Sequence, residues 1–347
     1  MLRGPLPLLP LLVPVLVPVL VGCALNADLP PPRQAAQVAS APADAPAPAH
    51  GSPCAEPPMA ERIPFRHRKN ELIRTFGKPR FRGIDLIATE DDPVQTLGGK
   101  LAYNAADSDV SGEDVHVYAC FREGWKLLGL TRTNRDGRFE LALAGAERLP
   151  VGMRDLYAHV PGDARGARFL ALVTPRGMSA IVSDVDGTLT ESEDAILGTV
   201  VFGDDIGHQP NAPRALAAAA GAGLPIIYLT SRGDQFTEVT RRWLLLHGFP
   251  PGPLRLARSA ITKPGPATVA FKSAALRALT VPIAAGIGNR ASDVAAYTHA
   301  GLPPSQILIH VGDPELVREV SPELAAGRAT GFRDYREVPA LLARPAP

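Results

Sequence analysis

The sequence has few cysteines, few aromatic residues and almost no net charge, and two of these shortages exclude classes of protein. The formal net charge is +1, so bulk attraction to nucleic acid is not expected. The three cysteines form no CxxC pair and no Cys/His cluster, which argues against a structural zinc site. Apolar residues still make up 46% of the chain, an ordinary content for globular domains.

Proline, in contrast, is abundant, with 36 residues, many of them near the N-terminus. Residues 1–22 join one basic residue, Arg3, to a run of Leu, Val and Pro, which is typical of a secretory signal peptide. A membrane-spanning helix is not expected there, because Pro10, Pro14 and Pro18 would each break its hydrogen bonds.

The signal-like segment ends in Leu20-Val21-Gly22-Cys23, which resembles the lipobox of bacterial lipoproteins. The resemblance implies an acylated Cys23 that anchors the chain in the bacterial cell envelope, since several acyl chains hold a protein durably on a membrane. Ala24 resembles the outer-membrane sorting pattern. The alternative is an ordinary signal peptide with an incidental cysteine, which would leave a soluble periplasmic or secreted protein.

Residues 23–62 are predicted to be a disordered tether. Alanine, proline and small polar residues dominate, so the segment cannot bury enough apolar area to offset its ordering entropy. Cys54 falls in this tether. An oxidising envelope would allow it to pair with Cys120, but we expect no structural disulfide.

Two folded domains are predicted after the tether. Residues 78–176 contain short alternating strands separated by Gly and Asp turns, such as Asn134-Arg135-Asp136-Gly137, which indicates a small β-sandwich of structural role. Over residues 178–345 buried strands alternate with helices, which predicts a doubly wound α/β domain with a parallel sheet. One of its helices has Asp234 as an N-cap candidate.

A pair of carboxylates, Asp184 and Asp186, follows the first strand of the α/β domain in the stretch IVSDVDGTLT. Residues two apart on an extended chain point the same way, and two like charges in one cleft require a cation or a proton between them. Mg²⁺ prefers such carboxylate oxygens and those of phosphate. If these two carboxylates stood alone, an acidic turn at the end of a strand would explain them. The residues at the ends of the later strands therefore decide between a turn and a catalytic site.

Polar side chains follow those later strands or lie in the helix between them: Thr230, Ser231, Arg232, Lys272, Asn289 and Asp293. In this order they resemble the haloacid-dehalogenase superfamily of phosphotransferases. The resemblance implies that Asp184 is the nucleophile and Asp186 the general acid and base. It also implies Mg²⁺, held by Asp184, the Asp186 carbonyl and Asp293 or Asn289.

The remaining members of the set are implied to bind phosphate. Thr230 and Lys272 would stabilise the phosphoryl oxygens, Ser231 would assist, and Thr188 would brace Asp186. Arg232 is expected either to grip the phosphate or to cap a helix. His208 is expected in an exposed loop, with a place beside the site as the alternative.

A narrower resemblance lies in the segments DVDGTLT, YLTSR, WLLLHGFPPGPL and GNRASDVAAYTHAGLPPSQI, which are similar to the catalytic domain of lipins. Related domains occur in phosphatidylinositol-transfer proteins and actin-patch phosphatidate phosphatases. The resemblance covers about residues 178–315 and implies hydrolysis of phosphatidate to diacylglycerol, a phospholipid substrate at a membrane. Glu191 departs from it, because lipins usually have a basic residue there.

Three functions are therefore weighed: a lipid phosphatase, a phosphatidate-binding module without turnover, and an envelope phosphatase for soluble phosphomonoesters. The short interval between Asp186 and Thr230 leaves no room for a large helical cap, so an open site suited to a membrane substrate is expected. No oligomeric state is predicted.

Overall fold

The computed structural model of the chain describes residues 54–58, 61–192, 206–259 and 265–343. All of these lie in one structural unit, Pro46–Pro347. The predicted signal peptide at 1–22, the predicted lipid site Cys23 and most of the predicted tether lie outside the described residues. Within the described ranges, no helix is both long and apolar enough to cross a membrane.

The first folded part is a β-sandwich, as the alternating pattern predicts. Its elements are α1 (Arg68–Phe76), β1 (Arg82–Ile84), β2 (Leu86–Thr89), β3 (Val94–Lys100), β4 (Ala102–Tyr103), β5 (Ser108–Asp109), β6 (Asp114–Phe121), β7 (Gly124–Arg132), β8 (Arg138–Ala144), β9 (Gly152–Val160) and β10 (Arg165–Thr174). One sheet has the order β1-β3-β8, and the other has the order β2-β10-β9-β6-β7, with β2 parallel to β10. Strands β4 and β5 form a separate hairpin.

The core of the sandwich follows from the period of two along its strands. Val115, Val117 and Ala119 of β6 are fully buried, whereas the residues between them are only partly buried. Successive strand side chains point to opposite faces, so these three meet Leu97 and Phe139 of the other sheet. The sandwich therefore has a hydrophobic core of its own.

The predicted turn Asn134-Arg135-Asp136-Gly137 joins β7 of one sheet to β8 of the other, so it connects the two sheets of the sandwich. The Asn134 side chain accepts hydrogen bonds from the Asp136 and Arg138 amides at 2.9 and 3.0 Å. Gly137 has φ 67°, and a Cβ there would approach the Leu101 carbonyl to 2.4 Å, so this position requires glycine.

The segment before the sandwich corrects two expectations, a free tether up to residue 62 and the absence of a disulfide. Cys54 and Cys120 form a disulfide, with their Cα atoms 6.0 Å apart. Arg168 donates to the Cys54 carbonyl at 3.1 Å, and the Trp125 indole donates to the Glu56 carbonyl at 2.6 Å. The prediction of disorder rests on the composition of the segment, which indicates only what the segment can bury by itself. Here residues of the sandwich bind Cys54 and Glu56.

The second folded part is the predicted α/β domain. Its elements are β11 (Ala180–Asp184), α2 (Ala212–Gly221), β12 (Ile226–Gly233), α3 (Thr237–Leu246), β13 (Leu254–Ala257), α4 (Pro266–Arg277), β14 (Ile283–Gly288), α5 (Ala291–His299), β15 (Ile307–His310), α6 (Pro314–Ala325), β16 (Thr330–Phe332) and α7 (Val338–Leu342). The sheet order is β13-β12-β11-β14-β15-β16, and its strand pairs are parallel. The chain first builds outward from β11 to β13 and then restarts at β14, so the order reverses between β11 and β14. Ligands of open α/β sheets bind at this kind of point.

Helices cover both faces of this sheet. On one face Ile181 and Tyr228 pack with Trp243 of α3, and on the other Val182 and Ile227 belong to a second buried cluster with helices α4 to α6. Consecutive residues of β11 thus enter opposite cores, which explains why its sequence is apolar without alternation. The open edge at the carboxyl ends of the strands is left for polar side chains.

Candidate active site

The carboxyl edge of the sheet carries the predicted site residues. Asp184 ends β11 and pairs in register with Leu229 of β12, next to Thr230. Asn289 follows β14, and Asp293 lies in the first turn of α5. Parallel neighbouring strands end at the same edge, so residues far apart in sequence meet here.

Lys272 of α4 joins two of the carboxylates. Its Nζ donates to Asp184 Oδ1 at 2.6 Å and to Asp293 Oδ1 at 2.7 Å. All three side chains are almost fully buried, with 6%, 4% and 1% of Lys272, Asp184 and Asp293 exposed. Burial alone would lower the pKa of Lys272, but the two carboxylates outweigh it and raise that pKa above its ordinary value.

Asp184 itself is strongly perturbed. Burial raises its pKa to about 6, although the Lys272 ammonium acts in the opposite direction. A carboxylate that is desolvated and held by a single cation is typical of functional sites.

Thr188 is fully buried, and its contacts differ from the predicted brace on Asp186. Its Oγ1 lies 3.0 Å from Asp184 Oδ2 and 3.0 Å from Asn289 Oδ1. Gly187, with φ 68°, turns the chain so that this hydroxyl faces back to the strand end. Thr188 therefore holds Asp184 and Asn289 together.

Asp186 has partners different from those of Asp184, and its side chain is 25% exposed. Thr230 Oγ1 donates to its Oδ2 at 2.6 Å, and the Arg232 guanidinium forms an ion pair with its Oδ1. The expected helix cap by Arg232 is not formed. Asp186 is therefore the carboxylate that water or substrate can reach, whereas Asp184 is enclosed.

Two hydrogen-bond donors in the residues that follow Thr230 lack an acceptor. Ser231 Oγ and Arg232 Nη1 are buried and have no hydrogen-bond partner in the part of the chain that the structure describes. Burial lowers the pKa of Arg232 to about 9, which still leaves it cationic at neutral pH, while Asp184 acts to raise it. A buried cation with a free donor is suited to an anion.

The site also holds oxygen atoms suited to a hard cation. Asp293 Oδ2 accepts the amides of Asn289 and Arg290 at 3.1 Å each, which fixes this carboxylate beside Asn289. Asp184 Oδ2 and Asn289 Oδ1 converge on the Thr188 hydroxyl. No group of three or more His, Cys, Asp or Glu side chains in the described ranges could hold a metal ion, so a cation here would need the amide oxygen of Asn289 or a backbone oxygen as a further ligand.

Tyr335 is a site residue that the sequence analysis missed. It is fully buried, and its hydroxyl donates to the Thr188 carbonyl at 2.6 Å. Tyr335 lies near the C-terminus, where no local motif indicates a site residue. Its partner Thr188 is 147 positions away in the sequence.

Two residues near the site have other contacts. His208 packs edge-on against His247 and Phe249, with ring centroids 5.3 and 6.0 Å away, so it is not the freely exposed histidine that was expected. Glu191 is exposed, and its amide donates to the Gly207 carbonyl at 3.1 Å. No contact between either side chain and the acidic residues of the site is found among the described residues.

The fold and the strand-end residues define a β-sandwich followed by a haloacid-dehalogenase-like α/β domain. Residues 80–173 match the family model "PITM 1-3, beta-sandwich domain", and residues 181–311 match "PITM 1-3, LNS2 domain". The two matches coincide with the two folded parts described above. The predicted fold class is thus confirmed.

Three similar proteins illustrate the relationship. Membrane-associated phosphatidylinositol transfer protein 3 of Homo sapiens is 28% identical over 266 residues, which is 76% of this chain and 26% of that protein. Membrane-associated phosphatidylinositol transfer protein 2 of Homo sapiens is 30% identical over 234 residues, or 66% and 17%. Nuclear elongation and deformation protein 1 of Schizosaccharomyces pombe is 30% identical over 151 residues, or 37% and 22%. The chain spans about a quarter or less of these relatives.

Two solved structures with partial similarity are named as phosphatases. D,D-heptose 1.7-bisphosphate phosphatase from B. bronchiseptica, complexed with magnesium and phosphate, has a TM-score of 0.36 at 18% identity, covering 48% of this chain and 98% of that chain. The Class C acid phosphatase from Bacillus anthracis has a TM-score of 0.28 at 16% identity, covering 50% and 75%.

Proposed function

We propose that the α/β domain is a Mg²⁺-dependent phosphatase that hydrolyses a lipid phosphomonoester, phosphatidate, to diacylglycerol. The observation that carries the proposal is the pair of buried donors without a partner, Ser231 Oγ and Arg232 Nη1, at the end of β12, where Arg232 also pairs with Asp186, together with two carboxylates of different exposure. The donors fit a phosphate, Asp184 fits a nucleophile, and Asp186 fits an acid and base that solvent can reach.

In the proposed first step, an Asp184 oxygen forms a bond to phosphorus while the bond from phosphorus to the alkoxide oxygen breaks. Asp186 gives its proton to that alkoxide. In the second step water attacks phosphorus, Asp186 takes the proton from that water, and inorganic phosphate leaves the Asp184 carboxylate. Lys272 keeps Asp184 in place through its 2.6 Å hydrogen bond.

The ion pair between Arg232 and Asp186 affects the proton transfer in the first of these two reaction steps. Because Arg232 stabilises the ionised form of Asp186, the acid step requires Arg232 to move from Asp186 to the phosphate. Its buried second nitrogen, Nη1, already lies free for that contact. Substrate binding would thereby release Asp186 to carry a proton.

The oxygen set fits Mg²⁺, which would be held by Asp184, Asp293, Asn289 and the Asp186 carbonyl. When bound, such a cation neutralises phosphate charge and stabilises the charge that develops during phosphoryl transfer. All of these ligand atoms are oxygens, as Mg²⁺ prefers.

The lipid part of the proposal is supported by the relatives, which are named for phosphatidylinositol transfer, and by the lipin-like motifs. The lipobox-like segment adds a second argument, since an acylated Cys23 would keep the site near phospholipid in the bacterial envelope. The Cys54–Cys120 disulfide supports the same compartment, because disulfides persist where the environment is oxidising.

A second candidate is a phosphatidate-binding module without turnover. The Arg232–Asp186 ion pair favours it, because an Asp186 that stays paired cannot act as the acid. Phosphate would then bind at Ser231 and Arg232 without further reaction.

The test is phosphate release from phosphatidate in mixed micelles with Mg²⁺, compared between the wild type and Asp184→Asn. Release by the wild type and its loss in the variant, by about four orders of magnitude or more, is expected for a missing nucleophile. Lipid binding without release would establish the second candidate. Preference for small soluble esters over micelles would instead indicate an envelope phosphatase for soluble substrates.

A further inference from the structure

Asp234 connects the β-sandwich to residues 230–234, which comprise the irregular carboxyl end of β12 and the residue after it and are called the loop below. It lies two residues after Arg232 and starts a short 3-10 turn, Asp234–Phe236, before α3. The sequence predicts that its side chain caps α3, but the side chain does not do so. Instead Arg82 Nε donates to its Oδ1 at 2.8 Å, and Arg138 Nη2 lies 3.1 Å from its Oδ2.

Both arginines belong to the sandwich, Arg82 to β1 and Arg138 to β8. Arg82 and Asp234 are each only 6% exposed, so the pair is shielded from solvent and from salt. A buried carboxylate with two cationic donors is a strong attachment point, because losing either donor leaves charge uncompensated.

Arg82 is itself held in one orientation. Its two terminal nitrogens donate to the two oxygens of Asp107 at 2.8 and 2.7 Å, and Lys100 Nζ lies 2.8 Å from Asp107 Oδ2. Burial alone would lower the pKa of Arg82, but Asp107 and Asp234 raise it. The guanidinium is therefore a fixed cation, and the carboxylate that it holds is fixed too.

The loop needs this attachment because the sheet does not hold it regularly. Thr230 pairs with Leu256 of β13, but the register then shifts, and the next pair joins Gly233 to Ala257. Ser231 and Arg232 fall within this bulge, outside the regular ladder. The Arg232 amide instead lies 3.2 Å from Thr230 Oγ1.

We propose that Arg82 and Arg138 are positioning residues which hold the loop Thr230–Asp234 in its phosphate-binding conformation from the sandwich side. The inference rests on the proposed function, since it assigns Ser231 and Arg232 to phosphate. The sandwich then contributes to the site, beyond covering its neighbour. Only one residue, Gly233, lies between Arg232 and Asp234, the residue that the two arginines bind.

A second ion pair between the two folded parts supplies a matched control. Arg241 Nη2 donates to both oxygens of Asp85, at 2.8 and 2.7 Å; Asp85 is buried and the Arg241 side chain is 12% exposed. Arg241 lies in α3, past the loop, and its only side-chain hydrogen bonds among the described residues go to Asp85. Arg241→Gln therefore weakens the contact between the parts without removing a bond to Asp234.

The experiment compares wild type, Arg82→Gln, Arg138→Gln and Arg241→Gln as full chains. Hydrogen exchange of the amides at 231–236 reports the loop without requiring any activity. We expect exchange about tenfold or more faster in Arg82→Gln, less so in the more exposed Arg138→Gln, and unchanged in Arg241→Gln, since a lost charged hydrogen bond has an effect of this size. Arg138→Lys, which retains the cation, should restore most of the protection.

A second readout is the affinity for inorganic phosphate in the presence of Mg²⁺, measured by calorimetry. It should fall about tenfold in Arg82→Gln and remain at the wild-type value in Arg241→Gln. Wild-type exchange in both Arg82→Gln and Arg138→Gln would overturn the inference, as would equal effects of Arg241→Gln. If the wild type hydrolyses no ester while exchange behaves as expected, the proposed function fails and the positioning role stands.

Discussion

Replacing Lys272 by methionine tests the centre of the site most directly. The substitution keeps the volume and apolar stem of the side chain but removes the cation that lies 2.6 Å from Asp184 and 2.7 Å from Asp293. Both carboxylates are then buried without a counter-charge. Breaking a buried pair in this way destabilises a protein by about 3–5 kcal/mol.

The loss of stability in Lys272→Met should increase as the pH rises. Burial already raises the pKa of Asp184 to about 6, and removal of Lys272 would raise it further. A carboxyl group whose pKa is higher in the folded than in the unfolded state binds protons on folding. The variant should therefore lose stability as pH rises from about 4 through the folded-state pKa, and should approach the wild type in acid.

Urea unfolding in EDTA, followed by circular dichroism between pH 4 and 8, measures this difference. EDTA prevents a divalent cation from replacing the ammonium. Lys126→Met, which breaks an exposed pair with Glu123, serves as the control and should change stability by less than about 1 kcal/mol. Equal stability of Lys272→Met and Lys126→Met at pH 8 would refute the assignment of Lys272 as the counter-ion.

Three further predictions concern other parts of the chain. Reduction of the Cys54–Cys120 disulfide, which closes a loop of 66 positions, should lower the free energy of unfolding by about 4 kcal/mol; identical urea midpoints with and without reductant would contradict this. Tyr335→Phe leaves the buried Thr188 carbonyl without its donor and should cost about 1–3 kcal/mol, measured by the same assay. Cys23→Ser should move the protein from the membrane fraction to the soluble fraction of the expressing cells, and an unchanged membrane fraction would exclude the lipid anchor.

The positions of the strands and helices were largely predictable, because their patterns are local. The period of two in β6 and the uninterrupted apolar run in β11 predict a half-exposed and a fully buried strand, and the structure contains both. The role of Asp234 was not predictable in this way. Its spacing suits a helix cap, but the two arginines that bind it lie 152 and 96 positions away.

The predicted tether also shows that a local pattern does not specify distant contacts. Here the sequence predicts disorder where the structure has contacts. Its composition predicts disorder throughout, and for a chain in isolation that expectation follows from burial and entropy. Cys54 pairs with Cys120 across 66 positions, and Arg168 binds the Cys54 carbonyl, so the sandwich orders what the segment could not order alone.

The residues at and just after the strand ends can be read from the sequence alone: Asp184 and Asp186, then Thr230, then Asn289 and Asp293. Strand periodicity is local, and parallel strands end at one edge, so their meeting follows from order along the chain. The partners of these residues, in contrast, are visible only in the folded chain: Lys272 lies between two carboxylates, Thr188 contacts Asp184 in place of Asp186, and Arg232 pairs with Asp186. Those choices depend on distances between side chains from separate elements, which no local pattern specifies.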